Sequence, residues 1–271
     1  MDVDAVAANI AARYAEFPQV EAVAWGGSHT SAAADAASDI DLYVYVREPL
    51  APEERGAFIN LRASHAEIDN QVWEPGDEWI EAESGIKIDA MYRELGWIED
   101  QLDRVLVQHQ ASAGYSTCLW YNVRVSQLLF DRDGWFAELQ AQAQQPYPEP
   151  LRRAVVNTNY PLLRDMLGAY RRQIRSAVGR GDVVSINHRV AVLLASYFDV
   201  LFAVNRLPHP GEKRLIANAT RDCTLLPHDM AQQVQALIGA SAQGSPTVID
   251  CVDMLVDNLD DLLRQAGLLP A

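Results

Sequence analysis

The sequence predicts an α+β protein, with an α/β head over residues 1–133 and an all-helical bundle over residues 134–271. Three observations predict it. Ile40 to Val46 alternates apolar and polar residues with a period of two, the signature of a half-buried strand. Strand signals stop at about Asp131, and Pro146, Pro148 and Pro150 punctuate a connection there. Beyond them, apolar residues recur at helical spacing to the end.

Taken in order, Val3, Val6, Ala7, Ile10 and Tyr14 fall on one helical stripe, and Pro18 marks the exit. Val20 to Trp25 reads as a short strand ending at Gly26-Gly27. After a small, alanine-rich loop comes the 40–46 strand. It puts Ile40, Leu42, Val44 and Val46 on one face and Asp39, Asp41, Tyr43 and Tyr45 on the other. Residues 53–63 resemble a helix. Ile68 to Trp73 and Ile86 to Tyr92 read as strands separated by a turn at Glu74-Pro75-Gly76-Asp77, and residues 97–107 return to helical spacing. In the second half, residues 162–174 place Leu163, Met166, Leu167, Tyr170 and Ile174 inward, with Arg164, Arg171 and Arg175 on another stripe. Residues 190–202 fit a buried helix, and residues 252–263 fit a last one with an acidic outer face.

Charge narrows the function. The 271 residues carry 22 Lys+Arg against 37 Asp+Glu, a net charge of −15, and only Lys87 and Lys213 are lysines. Such an excess of acid argues against duplex nucleic acid, whose binding rests on many cation–phosphate contacts. Three scattered cysteines form no metal-type pair. No signal peptide and no membrane-length apolar run is evident, which points to a soluble cytoplasmic protein. The acid is concentrated in residues 1–130 (22 acids, 8 bases), whereas residues 152–221 hold 12 bases and 4 acids. Metal ions on one side and phosphates on the other would explain that division. Solvated arginine faces would explain it as well.

The informative spacing is Gly26-Gly27-Ser28 after one strand, then ten residues, then Asp39-Ile40-Asp41 entering the next. Glycine amides and a serine hydroxyl can cradle phosphates. Two carboxylates at i and i+2 project together and suit Mg²⁺ with a nucleoside triphosphate. A third acid is needed, and Asp89 supplies it from another strand, with Lys87 on the same face. Glu74 is an alternative, and Glu67 and Asp69 are remoter ones.

This Gly-Ser, ten residues, Asp-x-Asp pattern resembles the minimal nucleotidyltransferases of the DNA polymerase β superfamily. With a helical domain behind it, the chain is similar to the antibiotic (aminoglycoside and lincosamide) nucleotidyltransferases. The stretch from Leu129 to Gly134 resembles their junction between head and bundle. The stretch from Asn205 to Arg214 resembles a segment in which a lysine reaches nucleotide phosphates. The resemblance implies a five-stranded mixed sheet and two Mg²⁺ ions. It also implies ATP or another NTP as co-substrate and transfer of NMP to a hydroxyl of a small molecule. On this reading Asp39, Asp41 and Asp89 bind metal and are catalytic. Gly27, Ser28, Lys213 and Arg206 contact the nucleotide, and Arg171 is a further candidate for offsetting charge on pyrophosphate. An acidic head suits a polycationic aminoglycoside. AMP transfer to a protein hydroxyl and a silent nucleotide-binding module are the competing functions. RNA tailing would need a basic track that the chain lacks.

Overall fold

The computed structural model describes residues 2–26, 39–72 and 74–269. The head elements are α1 (Val3–Tyr14), β1 (Val20–Trp25), β2 (Ile40–Val46), α2 (Pro52–Ile59), β3 (Ala63–Asn70), β4 (Gly76–Glu81) and β5 (Lys87–Glu94). After them come α3 (Leu95–Leu106), α4 (Cys118–Val125), β6 (Gln127–Asp131) and α5 (Trp135–Ala143). The remainder is helical: α6 (Glu149–Leu163), α7 (Tyr170–Gly179), α8 (Val183–Val204), α9 (Leu215–Asp222), α10 (Met230–Ala242) and α11 (Val248–Gln265). The chain is α+β, as its sequence predicts. It divides into two compact units, residues 1–102 with 122–145 and residues 103–121 with 146–271.

The first unit is built on a six-stranded mixed sheet in the order β3-β4-β5-β2-β1-β6. Only β2 and β5 run parallel; every other pair is antiparallel. The resemblance implied five strands and the sequence itself reads four; two departures bring those four to six. The predicted 74–77 turn is the entrance to β4, and the junction near Leu129 is itself the edge strand β6. The 63–70 strand also lies earlier than the expected 68–73, cutting the α2 helix short at Ile59.

One sheet face, with Val23, Trp25, Leu42, Val44, Ile88 and Ala90, is buried with Val6, Ile10 and Tyr14 of α1 and Phe58 of α2. On the other face Tyr45 stacks on Trp135 and Phe136 of α5, with ring centroids 5.4 and 5.0 Å apart. Tyr45, on the aspartate side of β2, is therefore a packing residue.

Asp77 shows why a turn-like sequence became a strand. Its carboxylate is fully buried, which raises its pKa. It accepts from the Asp69 amide at 2.8 Å and the Tyr92 hydroxyl at 2.6 Å, with Arg55 Nη1 3.4 Å away. Tyr14 and Tyr92 share a further hydroxyl bond of 2.7 Å, so α1, α2 and three strands meet at one acid. Removing it leaves the Asp69 amide unpaired and takes one partner each from the buried Arg55, which keeps Asp69, and from Tyr92, which keeps Tyr14. Asp77→Ala is expected to destabilise the first unit by about 3–5 kcal/mol, read from urea unfolding.

In the second unit, α8 is the core helix. Thirteen of its 22 residues are buried, among them Leu193, Tyr197, Phe198, Leu201 and Phe202. It is long and apolar enough to cross a membrane, yet most of it is covered by the other helices of this unit. The helix expected over 162–174 is broken instead. Pro161 lies in the last turn of α6, Arg164 leaves helical geometry at φ −147°, and Leu167 is 89% exposed before α7 begins. The charge pattern also resolves within this unit. Arg164 pairs with Asp257 and Asp260, and Arg171 pairs with Asp253, so the arginine stripe meets the acidic face of α11. Arg171 is thus held by a carboxylate, which counters the expectation that it offsets charge on pyrophosphate.

Candidate active site

The parallel pairing of β2 with β5 places Asp41 directly opposite Asp89. The antiparallel pairing of β5 with β4 then places Asp89 opposite Glu78, and β4 with β3 places Glu78 opposite Glu67. Neighbouring strands lie about 4.8 Å apart. Four acids therefore form one line across four strands on a single sheet face. Asp39 is exposed, two residues before Asp41 and on the same face by strand alternation. The geometry brings Asp39, Asp41 and Asp89 to one region of the sheet.

Glu78 is the member that the sequence did not reveal. Asn70 Nδ2 donates to its Oε1 at 3.1 Å and Lys87 Nζ lies 2.7 Å from its Oε2, so both oxygens are held. Lys87 balances this acid. Glu78, Asp89, Glu74, Asn70, Gly76 and Met91 line a small cleft beside the acid line.

Glu74 is not an equivalent substitute for Asp89. Its two oxygens accept from Arg93 Nε and Nη2 at 2.9 and 3.0 Å. Arg93 is buried, with its guanidinium 3.8 Å from the centre of the Tyr43 ring. Asp69 is turned to Arg55, 3.1 Å away, and Glu67 stands exposed at the sheet edge.

Partial burial, followed by the charges of Glu78 and Asp41, pushes the Asp89 carboxyl up to about 6, while Lys87 opposes the shift. This is an acid crowded by acids, the field that a divalent cation relieves. Glu78→Gln removes the larger of the two repelling charges and frees Lys87. The Asp89 midpoint is therefore expected to fall below about 6 toward the ordinary 3.8, as read from its carboxyl resonance in an NMR titration.

Gly26 closes the other side. Its amide donates to the Asp41 carbonyl at 2.9 Å, and a Cβ there would lie 2.3 Å from the Tyr43 ring. Only glycine lets the end of β1 pass this close to the ring. Gly27 and Ser28, the expected phosphate cradle, lie outside the described residues.

Lys213 and Arg206 belong to the second unit. Lys213 is exposed, and its carbonyl accepts from Asn218 Nδ2 at 3.1 Å. Arg206 has left-handed backbone, φ 55°, and its Nη2 donates to Glu149 at 3.0 Å.

Among the described residues no three His, Cys, Asp or Glu side chains converge as they would around a metal ion. The donor chemistry nonetheless fits Mg²⁺: hard carboxylate oxygens, negative in excess, on adjacent strands.

No family model and no curated protein matches the chain. Among solved structures it is similar to a nucleotidyltransferase-like protein from Exiguobacterium sibiricum 255-15. That likeness has a TM-score of 0.44 and 13% identity, and covers 97% of this chain and 75% of the other. At that identity and score the likeness says nothing about chemistry, which rests on the residues themselves.

Proposed function

We propose that the protein is a Mg²⁺-dependent nucleotidyltransferase that moves NMP, AMP from ATP in the first instance, onto a hydroxyl of a small molecule. The observation that carries this reading is Asp41 opposite Asp89 in parallel register, with Gly26 at the end of β1 bonded to the Asp41 carbonyl.

Asp39, Asp41 and Asp89 would hold Mg²⁺, which supplies Lewis-acid polarisation of phosphoryl oxygens and an acidified acceptor hydroxyl. The acceptor oxygen forms its bond to the α-phosphorus as the bond to the β-phosphate oxygen breaks, and pyrophosphate leaves with that electron pair. The hydroxyl proton passes to a carboxylate of the acid line. Gly27 and Ser28 would offer phosphates an amide and a hydroxyl donor. Arg206 lends a guanidinium only if it leaves Glu149.

Glu67 extends the acid line beyond the three carboxylates assigned to metal, while Glu78 is already balanced by Lys87. That surplus supports a cationic acceptor, an amino sugar of the aminoglycoside kind. The test is pyrophosphate release from ATP and Mg²⁺ with a panel of aminoglycosides, run beside a cell extract with labelled ATP. Release with at least one amino sugar is the expected result. Label appearing on extract protein instead would replace the acceptor. No release with any acceptor or NTP would sink the catalytic reading.

A further inference from the structure

Three carboxylates, Glu74, Glu78 and Asp89, line one small cleft of the first unit. Two of them face a cation of their own. Lys87 Nζ lies 2.7 Å from Glu78, and Arg93 donates to both oxygens of Glu74. Asp89 has no ion pair among the described residues.

A hard cation takes carboxylate oxygens where they are offered, and each added negative ligand tightens its binding. Glu74 is placed to offer two. The chain around it is fixed, since the Pro75 carbonyl accepts from the Tyr92 amide at 2.8 Å and Gly76 pairs with Met91. The direction of its side chain therefore decides whether its carboxylate joins Asp89 or turns away. Arg93 sets that direction.

Arginine is an unusual residue for this position. Arg93 lies on β5 four residues after Asp89, on the same sheet face. It is 3% exposed, and its Nη1 is buried without a hydrogen-bond partner. A buried ion pair is seldom more stable than apolar side chains of similar size. Stability therefore does not account for the arginine. What an apolar residue cannot do is grip both carboxylate oxygens at once, as a planar guanidinium fork does. The guanidinium is itself seated on the Tyr43 ring, 3.8 Å from its centre, and that ring packs against Gly26.

We infer that Arg93 is a positioning residue. By engaging both oxygens of Glu74 it keeps that carboxylate out of the cation's ligand set, and leaves the cation to Asp41 and Asp89 with Asp39. The inference rests on the metal reading of those acids and is independent of which nucleotide or acceptor is used.

The experiment titrates the full chain with Mn²⁺ alone. Calorimetry reads affinity, and water-proton relaxation reads the number of waters on the bound cation. The wild type is expected to bind, and Asp89→Asn to weaken binding by about tenfold or more. Arg93→Met releases Glu74, so binding should tighten by about tenfold with about one bound water fewer. Arg93→Met combined with Glu74→Gln keeps the net charge of the wild type. It should return affinity to within about threefold of wild type and restore the water. Should Arg93→Met fail to fold, Arg93→Lys keeps a cation beside Tyr43 without the fork, and loss of about one water is again expected. Glu74→Gln alone should leave the water count as in the wild type.

An unchanged water count in the folded Arg93 variant would overturn the inference, as would a count that still falls with Glu74→Gln present. A gain of one water in Glu74→Gln would overturn it too, since Glu74 would then be a ligand from the start. Each of these results leaves the metal reading standing when Asp89→Asn weakens binding. No Mn²⁺ binding by the wild type, or binding that ignores Asp89→Asn, would overturn both.

Discussion

Asp41→Asn is expected to lower nucleotidyl transfer by about 10²–10⁴-fold, the range set by several kcal/mol of lost metal-borne stabilisation. The replacement is nearly isosteric and removes one full charge. The backbone bond from Gly26 to the Asp41 carbonyl does not depend on the side chain, nor does the β2–β5 ladder. Removing one of the acids that crowd Asp89 also relieves repulsion. The melting temperature should therefore hold or rise slightly while turnover collapses. Pyrophosphate release at saturating ATP, set beside thermal unfolding, checks both halves. Activity within tenfold of wild type would refute the metal assignment.

Asp199→Ala should lower the stability of the second unit by about 1–3 kcal/mol in urea unfolding. The buried carboxylate accepts from the Ser116 amide and hydroxyl and from Asn159 Nδ2; alanine leaves the Ser116 amide unpaired, while the Ser116 hydroxyl keeps the Ser112 carbonyl and Asn159 Nδ2 keeps the Ser112 and Val155 carbonyls. Asp199→Asn keeps an acceptor and isolates the charge. Burial raises the Asp199 carboxyl to about 6, although its three donors pull the other way. The folded chain thus holds this proton more tightly than the unfolded chain, whose midpoint lies near 3.8. Stability from this group is greatest below about pH 4, declines as pH rises toward 6, and is flat above. The decline is on the order of 2 kcal/mol. The stability of Asp199→Asn relative to wild type should improve by that amount between pH 4 and pH 7. A gap independent of pH would show that Asp199 titrates normally.

Strand β2 was legible in the sequence because its alternation is unbroken and one face is fully apolar. The α8 and α11 stripes were legible for the same reason at helical period. Strand β4 was hidden because its inward residue is Asp77, an acid that belongs inside only when Tyr92, Asp69 and Arg55 are already there to receive it. Strand β3 is an edge, mostly polar, and its weak alternation let the helix before it be read too long. At the candidate site, the Asp-x-Asp pair was visible as local spacing. The line from Asp41 through Asp89 to Glu78 depends on strand register, which no local window contains. Missing β4 therefore meant missing Glu78. The commitment of Glu74 to Arg93 was equally invisible, because a surface-looking glutamate acquires its role from an arginine 19 residues on.

Strand β6 joins the sheet beside β1, although roughly 100 residues separate them in sequence. On a ribosome adding about 5–20 residues per second, the far side of β1 goes unpaired for roughly 5–20 s after that strand has emerged. All six residues of β1 end up buried. The nascent chain thus carries a sticky, half-finished ribbon through roughly a third of its synthesis, so its yield in a cell depends on what shields that ribbon in the meantime. A chain terminated before Gln127 would never close it, and such a fragment should be recovered in the pellet rather than the supernatant.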